Sequence, residues 1–264
     1  MTLAIPFPAI DPIIFSIGPF AVRWYALAYI AGLVIGWLVL RRIAKRPPNE
    51  IGEEDVDDFL TWATLGVILG GRIGYVLFYN LPYFLDRPGE IFAVWQGGMS
   101  FHGGFLGVVL AGLIFCRRRG IDPLSFGDML AVVAPIGLFF GRIANFINGE
   151  LFGRVTDAPW GVVFPRGGPD PRHPSQLYEA ALEGLVLFVV LAVMARSGKV
   201  RARRGMLMGV FVAGYALARM TVELFRQPDQ HIGFLTLGST MGQWLSVPML
   251  LVGLGFVVWG WRRG

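Results

Sequence analysis

About seven stretches of roughly 20 mostly apolar residues are the feature that most limits how this chain can fold. An α-helix of about 20 residues crosses the roughly 30 Å hydrocarbon core of a bilayer. With 55% hydrophobic and 16% charged residues, the chain carries more apolar surface than one soluble core can hide. We therefore predict an all-α fold, a polytopic membrane helical bundle with about seven transmembrane helices. The apolar runs lie at about 20–40, 58–80, 98–116, 127–147, 176–195, 205–225 and 241–261.

The basic residues are unevenly distributed along the chain. By the positive-inside rule, the ends of apolar runs that carry Lys and Arg face the cytoplasm. This predicts an N-terminus outside and a C-terminus in the cytoplasm. It also explains the pI of 9.7 without a nucleic-acid partner. About 14 of the 23 Lys and Arg follow odd-numbered runs: Arg41, Arg42, Lys45, Arg46, Arg117, Arg118, Arg119, Arg196, Lys199, Arg201, Arg203, Arg204, Arg262 and Arg263.

Small residues at four-residue spacing favour close helix packing. In lipid, such spacing lets helix backbones approach each other. We expect a single integral membrane domain over residues 1–264, with a segment at about 148–175 that forms a lid or a mobile loop on the outer face. The first apolar run lacks the features of a cleaved signal peptide and is expected to remain. The small residues are Gly66, Gly70 and Gly74, then Gly103, Gly107 and Ala111, then Ala28, Gly32 and Gly36.

Several classes of chemistry lack their sequence signatures. The single cysteine, Cys116, excludes an internal disulfide and a CxxC motif. The chain has no G-x-S-x-G elbow, no H-E-x-x-H helix and no Walker loop. His, Cys and carboxylates show no metal-ligand spacing, so we predict neither a metal nor a cofactor.

Arginines within or at the edge of apolar runs indicate a site. An intramembrane arginine is costly and normally faces protein or water with a partner. Four arginines need such an explanation: Arg23, Arg72, Arg142 and Arg219. Arg219 and Glu223 are four residues apart, so they can pair on one helical stripe. The stripe consists of Tyr215, Arg219, Glu223 and Arg226.

Other polar side chains are predicted at the same side of the membrane. Arg142 and Asn145 share a helix face, and Arg72 lies roughly 12 Å below Asn80 at 1.5 Å per residue. Guanidinium forks match phosphate oxygens, so we predict a site for an anionic phospholipid at headgroup depth in the outer leaflet. A histidine there could relay a proton. The other polar side chains predicted at this side of the membrane are Tyr25, His102, Asn148, Glu150, His173, Gln176, Tyr178 and Glu179.

The polar segments resemble the prolipoprotein diacylglyceryl transferase family of bacterial membrane enzymes. The likeness begins with GRIANFINGELFGR at residues 141–154, which is similar to the family signature. It extends in order over nearly the whole chain through RWYALAY, GGRIGYVLFYN, GGMSFHGG, RHPSQLYEA and RMTVELFRQPDQHIG.

The resemblance implies a seven-span enzyme of the bacterial cytoplasmic membrane. Such an enzyme moves the diacylglyceryl group of phosphatidylglycerol to the thiol of the lipobox cysteine in a preprolipoprotein. The products are a thioether-linked precursor and glycerol 1-phosphate. The implied partners are phosphatidylglycerol, the signal peptide with its lipobox, and the bilayer.

The resemblance also implies roles for individual residues. By this resemblance, Arg142 binds the phosphatidylglycerol headgroup, Arg219 is essential, His102 is a proposed base and the position of Tyr25 is functionally important. Our own hypothesis is that Tyr25 is a helper or a rival of His102 as proton acceptor. We add Arg72 and Arg226 to the lipid-binding set on the basis of their position. The remaining matched positions, linked to activity or lipid binding, are Asn145, Glu150, Gly153 and Glu223.

Three other interpretations remain open at this point. A lipid flippase or transporter would also place arginines in a groove, but it needs a polar path to the cytoplasmic side. A structural interpretation makes the polar stripes a lock for the bundle. Intramembrane proteolysis is disfavoured because Ser100 and His102 do not form a dyad on separate elements.

Overall fold

Helices dominate the structure, a computed structural model that describes residues 5–8, 10–18, 20–47, 51–228 and 233–263. Short 3₁₀ turns connect some of them, at Pro88–Phe92, Val94–Gln96 and Thr236–Gly238. α6 contains a π-helical segment, Ala180–Val186. The helices are α1 (Trp24–Ala44), α2 (Glu53–Tyr79), α3 (Leu81–Asp86), α4 (Phe101–Arg119), α5 (Pro123–Ile147), α6 (Ser175–Met194), α7 (Gly198–Arg201), α8 (Met206–Val222) and α9 (Met241–Arg263).

Six of the described helices are long and apolar enough to cross a membrane: α1, α2, α4, α5, α6 and α9. α8 is apolar but has 17 residues. The prediction of a polytopic helical membrane protein is therefore confirmed. The seventh crossing and the orientation of the termini stay predictions.

Four short strands add to the helical architecture. β2 (Ile13–Ile17) and β3 (Phe20–Arg23) pair as an antiparallel hairpin that ends where α1 begins. β1 (Ile5–Pro6) pairs in parallel with β4 (Val162–Val163). The all-α prediction is thus confirmed only in its coarse form. The predicted first run, 20–40, begins too early because residues 20–23 belong to the hairpin.

The chain forms two compact units, residues 44–126 and residues 1–43 with 127–264. In the first of these, α2 and α4 pack through glycines. A Cβ on Gly66 would lie 2.7 Å from the Gly107 carbonyl oxygen, and one on Gly74 would lie 2.8 Å from the Gly103 Cα. This contact confirms the close packing that the four-residue spacing predicted. The single membrane domain stays a prediction.

Glycines also allow close packing in the unit of residues 1–43 and 127–264. A Cβ on Gly32 of α1 would lie 3.2 Å from the Gly137 Cα of α5. α8 and α9 meet where a Cβ on Gly209 would lie 2.8 Å from the Gly253 carbonyl oxygen. α5 and α6 meet at Gly184, where a Cβ would lie 2.7 Å from the Phe139 Cβ. These contacts bring α5, α6 and α8 to the site described below.

The segment 148–175 is folded back on the same unit by backbone hydrogen bonds. Val162 and Arg172 exchange two bonds of 2.9 Å, and Gly153 N–H donates to the His173 carbonyl at 2.8 Å. Phe164 is fully buried and packs on the rings of Phe7, Phe146 and Phe152. We call this segment the cap.

Candidate active site

Two buried carboxylates on α6 form the centre of the candidate site. Glu179 and Glu183 are four residues apart, and both side chains have 0% exposure. Residues at this spacing share one face of a helix. The π-helical segment Ala180–Val186 begins between them, and such insertions into α-helices are frequent at functional sites.

Three arginines from two directions converge on the Glu179 carboxylate. Arg142 Nε of α5 lies 2.9 Å from Glu179 Oε2. Arg219 Nη1 of α8 donates to Oε1 at 2.6 Å, and Arg226 Nη1 donates to the same oxygen at 3.2 Å. Arg142 and Arg219 thus lie close together through a shared acidic partner.

Glu183 lies beside the same guanidinium groups at longer distances. Its Oε2 is 3.6 Å from Arg142 Nη2, and its Oε1 is 3.8 Å from Arg219 Nη1. Neither oxygen has a hydrogen-bond partner among the described residues. Glu183 is thus a buried acid whose negative charge the site compensates only weakly.

Glu223 completes the ion cluster at the end of α8. Arg219 Nη2 lies 2.6 Å from Glu223 Oε1, which confirms the pairing expected from the four-residue spacing. Thr240 Oγ1 donates to Glu223 Oε2 at 2.6 Å. The Nε of Arg226 is 3.9 Å from Glu223 Oε1. We call Arg142, Glu179, Glu183, Arg219, Glu223 and Arg226 the ion cluster.

The ion cluster is buried on its acidic side and open on its basic side. The side chains of Arg142 and Arg219 are 18% and 15% exposed, whereas Glu179 and Glu183 are fully enclosed. Buried charges need close partners because burial removes their hydration. The low dielectric strengthens the attraction between the partners. A ligand that reaches this site meets guanidinium groups first, so the arrangement suits an anion.

The stretch after α5 is held by a network around Glu150. Asn145 Nδ2 donates to Glu150 Oε1 at 2.8 Å, and Asn148 Nδ2 approaches the same oxygen at 3.5 Å. From α6, Gln176 Nε2 donates to the Glu150 carbonyl at 2.6 Å, and Ser175 Oγ donates to the Leu151 carbonyl at 3.0 Å. This network joins Asn145 and Glu150 to the helix that carries the two buried acids.

Gly153 lies where the backbone of the cap passes the end of α8. A Cβ at this position would lie 2.5 Å from the Phe225 carbonyl oxygen and 2.7 Å from the His173 Cβ. Any side chain there would therefore push the cap away. Next to it, Arg154 donates from Nε to the Arg226 carbonyl at 2.9 Å and from Nη2 to the Glu223 carbonyl at 3.0 Å. The cap is thus bonded to the backbone of two cluster residues.

A chain of polar groups runs along the base of the cap. Trp160 Nε1 donates to the Tyr178 hydroxyl at 2.7 Å, and that hydroxyl lies 3.1 Å from His173 Nδ1. Burial, and secondarily the Arg154 charge, lower the pKa of His173. The neutral form of the His173 imidazole is therefore favoured.

Tyr25 lies at the start of α1, in the same unit as the ion cluster. Its ring centroid is 5.3 Å from that of Tyr29. A tyrosine pair thus lies in the first turns of α1.

Arg72 and His102 belong to the unit of residues 44–126. Arg72 is buried, and its guanidinium donates to the backbone carbonyls of Ile91, Gly97 and Glu90 at 2.7, 2.6 and 2.6 Å. It holds the connection between α3 and α4 in place. His102 is exposed on the first turn of α4, where its ring lies 5.7 Å from that of Phe101.

Sequence reasoning missed Glu183 and underrated Glu179. Both are acids inside an otherwise apolar stretch, a signal that marks functional positions in membrane helices. The spacing of Arg219 and Glu223 drew attention to pairs within one helix. The main partners of Arg142 lie on a different helix, so its pairing could not be read from local spacing.

Comparison with known proteins gives a consistent result. The model of the family described as prolipoprotein diacylglyceryl transferase matches residues 12–259. A phosphatidylglycerol–prolipoprotein diacylglyceryl transferase of Paramagnetospirillum magneticum is 61% identical, over 100% of this chain and 98% of the relative. Proteins with the same name from Azospirillum brasilense and Rhodospirillum rubrum are 60% and 59% identical, over 99% and 96% of this chain and 98% and 93% of the relatives.

Proposed function

This chain belongs to the prolipoprotein diacylglyceryl transferase family, and we propose from this premise that it transfers the diacylglyceryl group of phosphatidylglycerol to a prolipoprotein. The acceptor is the thiol of the lipobox cysteine, and the products are a thioether and glycerol 1-phosphate. The enzyme is a transferase that acts at the first step of bacterial lipoprotein maturation.

The ion cluster is the observation that supports this function most directly. Arg142 and Arg219 come from different helices, share one buried acid and keep part of their surface open. Two guanidinium groups so arranged suit the oxygens of a phosphodiester. A lipid headgroup bound there would stand at the edge of the hydrocarbon, next to its own acyl chains.

The proposed chemistry is displacement at the carbon of the diacylglyceryl group that bears the phosphate. The sulfur of the acceptor forms a bond to this carbon, and the carbon–oxygen bond breaks with its electron pair on the phosphate oxygen. Arg142 and Arg219 stabilise the charge that gathers on the leaving phosphate. Glu179 and Glu223 fix both guanidinium groups in place before the reaction.

The acceptor must lose its proton, because the thiolate is the attacking species. His102 and Tyr25 are the candidate proton acceptors. His102 is exposed, and the ring of Tyr25 packs against that of Tyr29 in α1. Asn145, Glu150, Gly153, Arg226 and Arg72 complete the proposed binding set. In this set, Arg226 contacts Glu179 directly, Glu150 holds Asn145, and Arg72 acts by holding the connection before α4.

The proposed location is the bacterial cytoplasmic membrane, with the site facing the outer leaflet. The basic residues in or just after the last turns of α1, α4, α6 and α9 favour cytoplasmic positions for these ends. The N-terminus and the cap would then be outside. The cap, bonded to the ends of α6 and α8, is a lid over the headgroup site.

A reconstituted transfer assay tests the proposal. Purified protein in phosphatidylglycerol vesicles should add one diacylglyceryl mass to a lipobox peptide and release glycerol phosphate. A peptide with serine in place of cysteine should gain nothing. A flippase would move lipid without releasing glycerol phosphate, so no mass gain on the cysteine peptide would overturn the proposal.

A further inference from the structure

The charges of the ion cluster balance before any ligand binds. Among the described residues, three guanidinium groups (Arg142, Arg219 and Arg226) face three carboxylates (Glu179, Glu183 and Glu223). With all six ionised, the cluster has no net charge. A phosphodiester carries one negative charge, so its arrival would leave an excess negative charge in a largely buried site.

One proton on a carboxylate would restore the balance, and the three carboxylates differ in how well they hold their charge. Glu179 Oε1 accepts hydrogen bonds from Arg219 and Arg226. Glu223 accepts one from Thr240 at 2.6 Å and pairs with Arg219 at 2.6 Å. These two acids therefore have close hydrogen-bond and ion-pair partners that compensate a negative charge.

Glu183 is the least compensated of the three. It is fully buried, neither oxygen has a hydrogen-bond partner among the described residues, and its nearest guanidinium nitrogens are 3.6 and 3.8 Å away. If the phosphate draws Arg142 and Arg219 toward itself, these two distant contacts are the first to weaken. A buried carboxylate without close partners takes up a proton rather than keep its charge.

We propose that Glu183 takes up one proton when the lipid phosphodiester binds, so that the occupied ion cluster remains neutral. This inference rests on the proposed function, because the bound anion is the phosphatidylglycerol headgroup. Glu183 then affects binding of the donor lipid through Arg142 and Arg219. It favours a singly charged phosphodiester because a single proton compensates a single negative charge.

Among the described residues, the groups near Glu183 include arginines, one acid and one phenol. Arg142 approaches from α5, and Arg219 and Tyr215 approach from α8. Glu179 lies one turn away on the same helix, and Arg226 lies just beyond α8. Since the arginines keep their charge throughout, the proton has to reside on a carboxylate.

Difference infrared spectroscopy tests this proton directly. Adding phosphatidylglycerol to the wild-type protein should produce the carbonyl band of a protonated carboxylic acid, and diacylglycerol, which lacks the phosphate, should not. Glu183→Gln should bind phosphatidylglycerol without the band. The matched control is Glu54→Gln, at an exposed position on the first turn of α2. This variant should keep the carboxylic acid band.

A second measurement follows the affinity for phosphatidylglycerol as a function of pH. Uptake of one proton makes the wild-type affinity for phosphatidylglycerol fall by about tenfold per pH unit above the titration point. In transfer assays this appears as a KM that rises with pH, and in Glu183→Gln the KM should be independent of pH. Two results would overturn the role of Glu183. One is binding of phosphatidylglycerol to the wild type without the carboxylic acid band, and the other is a wild-type KM that does not depend on pH. Failure of the wild type to transfer at all would contradict the proposed function instead.

Discussion

At the scale of the residue, the fork of the guanidinium group matters more than its charge. Arg142 and Arg219 each contact Glu179 through one nitrogen and have others for a second partner. A lysine ammonium keeps the charge but cannot span two acceptors in one plane. We expect Arg142→Lys and Arg219→Lys to lower kcat/KM roughly 10- to 100-fold, about 1.4 to 2.8 kcal/mol of transition-state stabilisation.

The control for this prediction is Arg166→Lys, because Arg166 is an exposed residue of the cap. It should transfer at the wild-type rate in the same vesicle assay. All variants are first compared for yield and for thermal unfolding in detergent. Correctly folded Arg142→Lys and Arg219→Lys proteins with near-normal rates would show that charge alone suffices.

Gly153 allows a separate prediction at this scale. A methyl group there would lie 2.5 Å from the Phe225 carbonyl oxygen, and overpacking of this kind costs about 1–3 kcal/mol. Gly153→Ala should therefore lower both the melting temperature and the transfer rate. Gly255→Ala, whose Cβ meets nothing within 4 Å, serves as the control and should lower neither. Equal melting temperatures for Gly153→Ala and the wild type would contradict the packing argument.

The residues of the site were predictable to different degrees. Arg219 with Glu223 follows from helical spacing, and Arg142 from the cost of a charge in an apolar run. The pairing of Arg142 with Glu179 was not predictable, because it depends on how α5 packs against α6 at Gly184 and Phe139. Likewise, the donors of Arg72 end on backbone carbonyls, whose positions no side-chain pattern reveals.

At the scale of the element, the start of α8 depends on a residue of α5. Asp128 is buried and accepts from Gly205 N–H at 2.6 Å and from Met208 N–H at 2.7 Å. The first N–H groups of a helix have no partners within it, and a negative charge there is favourable. Removal of this carboxylate leaves buried donors unpaired.

We expect Asp128→Ala to destabilise the protein by about 1–3 kcal/mol. For a chain of this size, that corresponds to a fall in melting temperature of roughly 2–4 °C per kcal/mol. Thermal unfolding followed by circular dichroism in detergent measures it. Asp170→Ala, at an exposed position of the cap, should leave the melting temperature unchanged. Equal melting temperatures for the two variants would show that the Asp128 hydrogen bonds to the start of α8 are dispensable.

The pH dependence of the cap follows from His173. Burial and the Arg154 charge lower its pKa in the folded protein. Below the ordinary histidine pKa of about 6.5, the unfolded chain binds a proton more readily than the folded chain. The contribution of His173 to stability is therefore complete above this pH and is lost as the pH falls through the folded pKa.

This sign leads to a measurable difference. The melting temperature of the wild type should fall more between neutral and mildly acidic pH than that of His173→Asn, which has no titrating group at this position. The difference between the two proteins removes the contribution of the carboxylates. A larger acid-induced fall in the variant than in the wild type would contradict the assigned direction.

Helix contacts were more predictable than strand pairing. Gly66, Gly70 and Gly74 repeat every four residues, and this periodicity alone predicts one narrow face on α2, which contacts α4 in the structure. By contrast, β1 pairs with β4 across more than half of the chain. Two-residue strands have no pattern of their own, so their pairing follows only from the folded cap.

At the scale of the whole molecule, the parity of the membrane crossings decides where the site faces. Six described helices are long enough to span, and six crossings would leave both termini on one side. α8 has 17 residues, or about 26 Å at 1.5 Å per residue, somewhat less than the hydrocarbon thickness of about 30 Å. We predict that α8 nevertheless crosses, because the basic residues before it and those in the last turn of α9 can then all lie in the cytoplasm.

Cysteine labelling from one side tests this parity. In a Cys116→Ser background, new cysteines replace Asp170 in the cap, Ser197 after α6, Thr236 before α9 and Arg263 at the end of α9. If α8 crosses, a membrane-impermeant reagent applied outside should label the cysteines at 170 and 236 and spare those at 197 and 263 until the cells are opened. If α8 stays on one side, the cysteine at 236 should behave like the one at 197. Since Arg219 and Glu223 lie at the far end of α8 from Gly205, that result would also remove the argument that the ion cluster faces the outer leaflet.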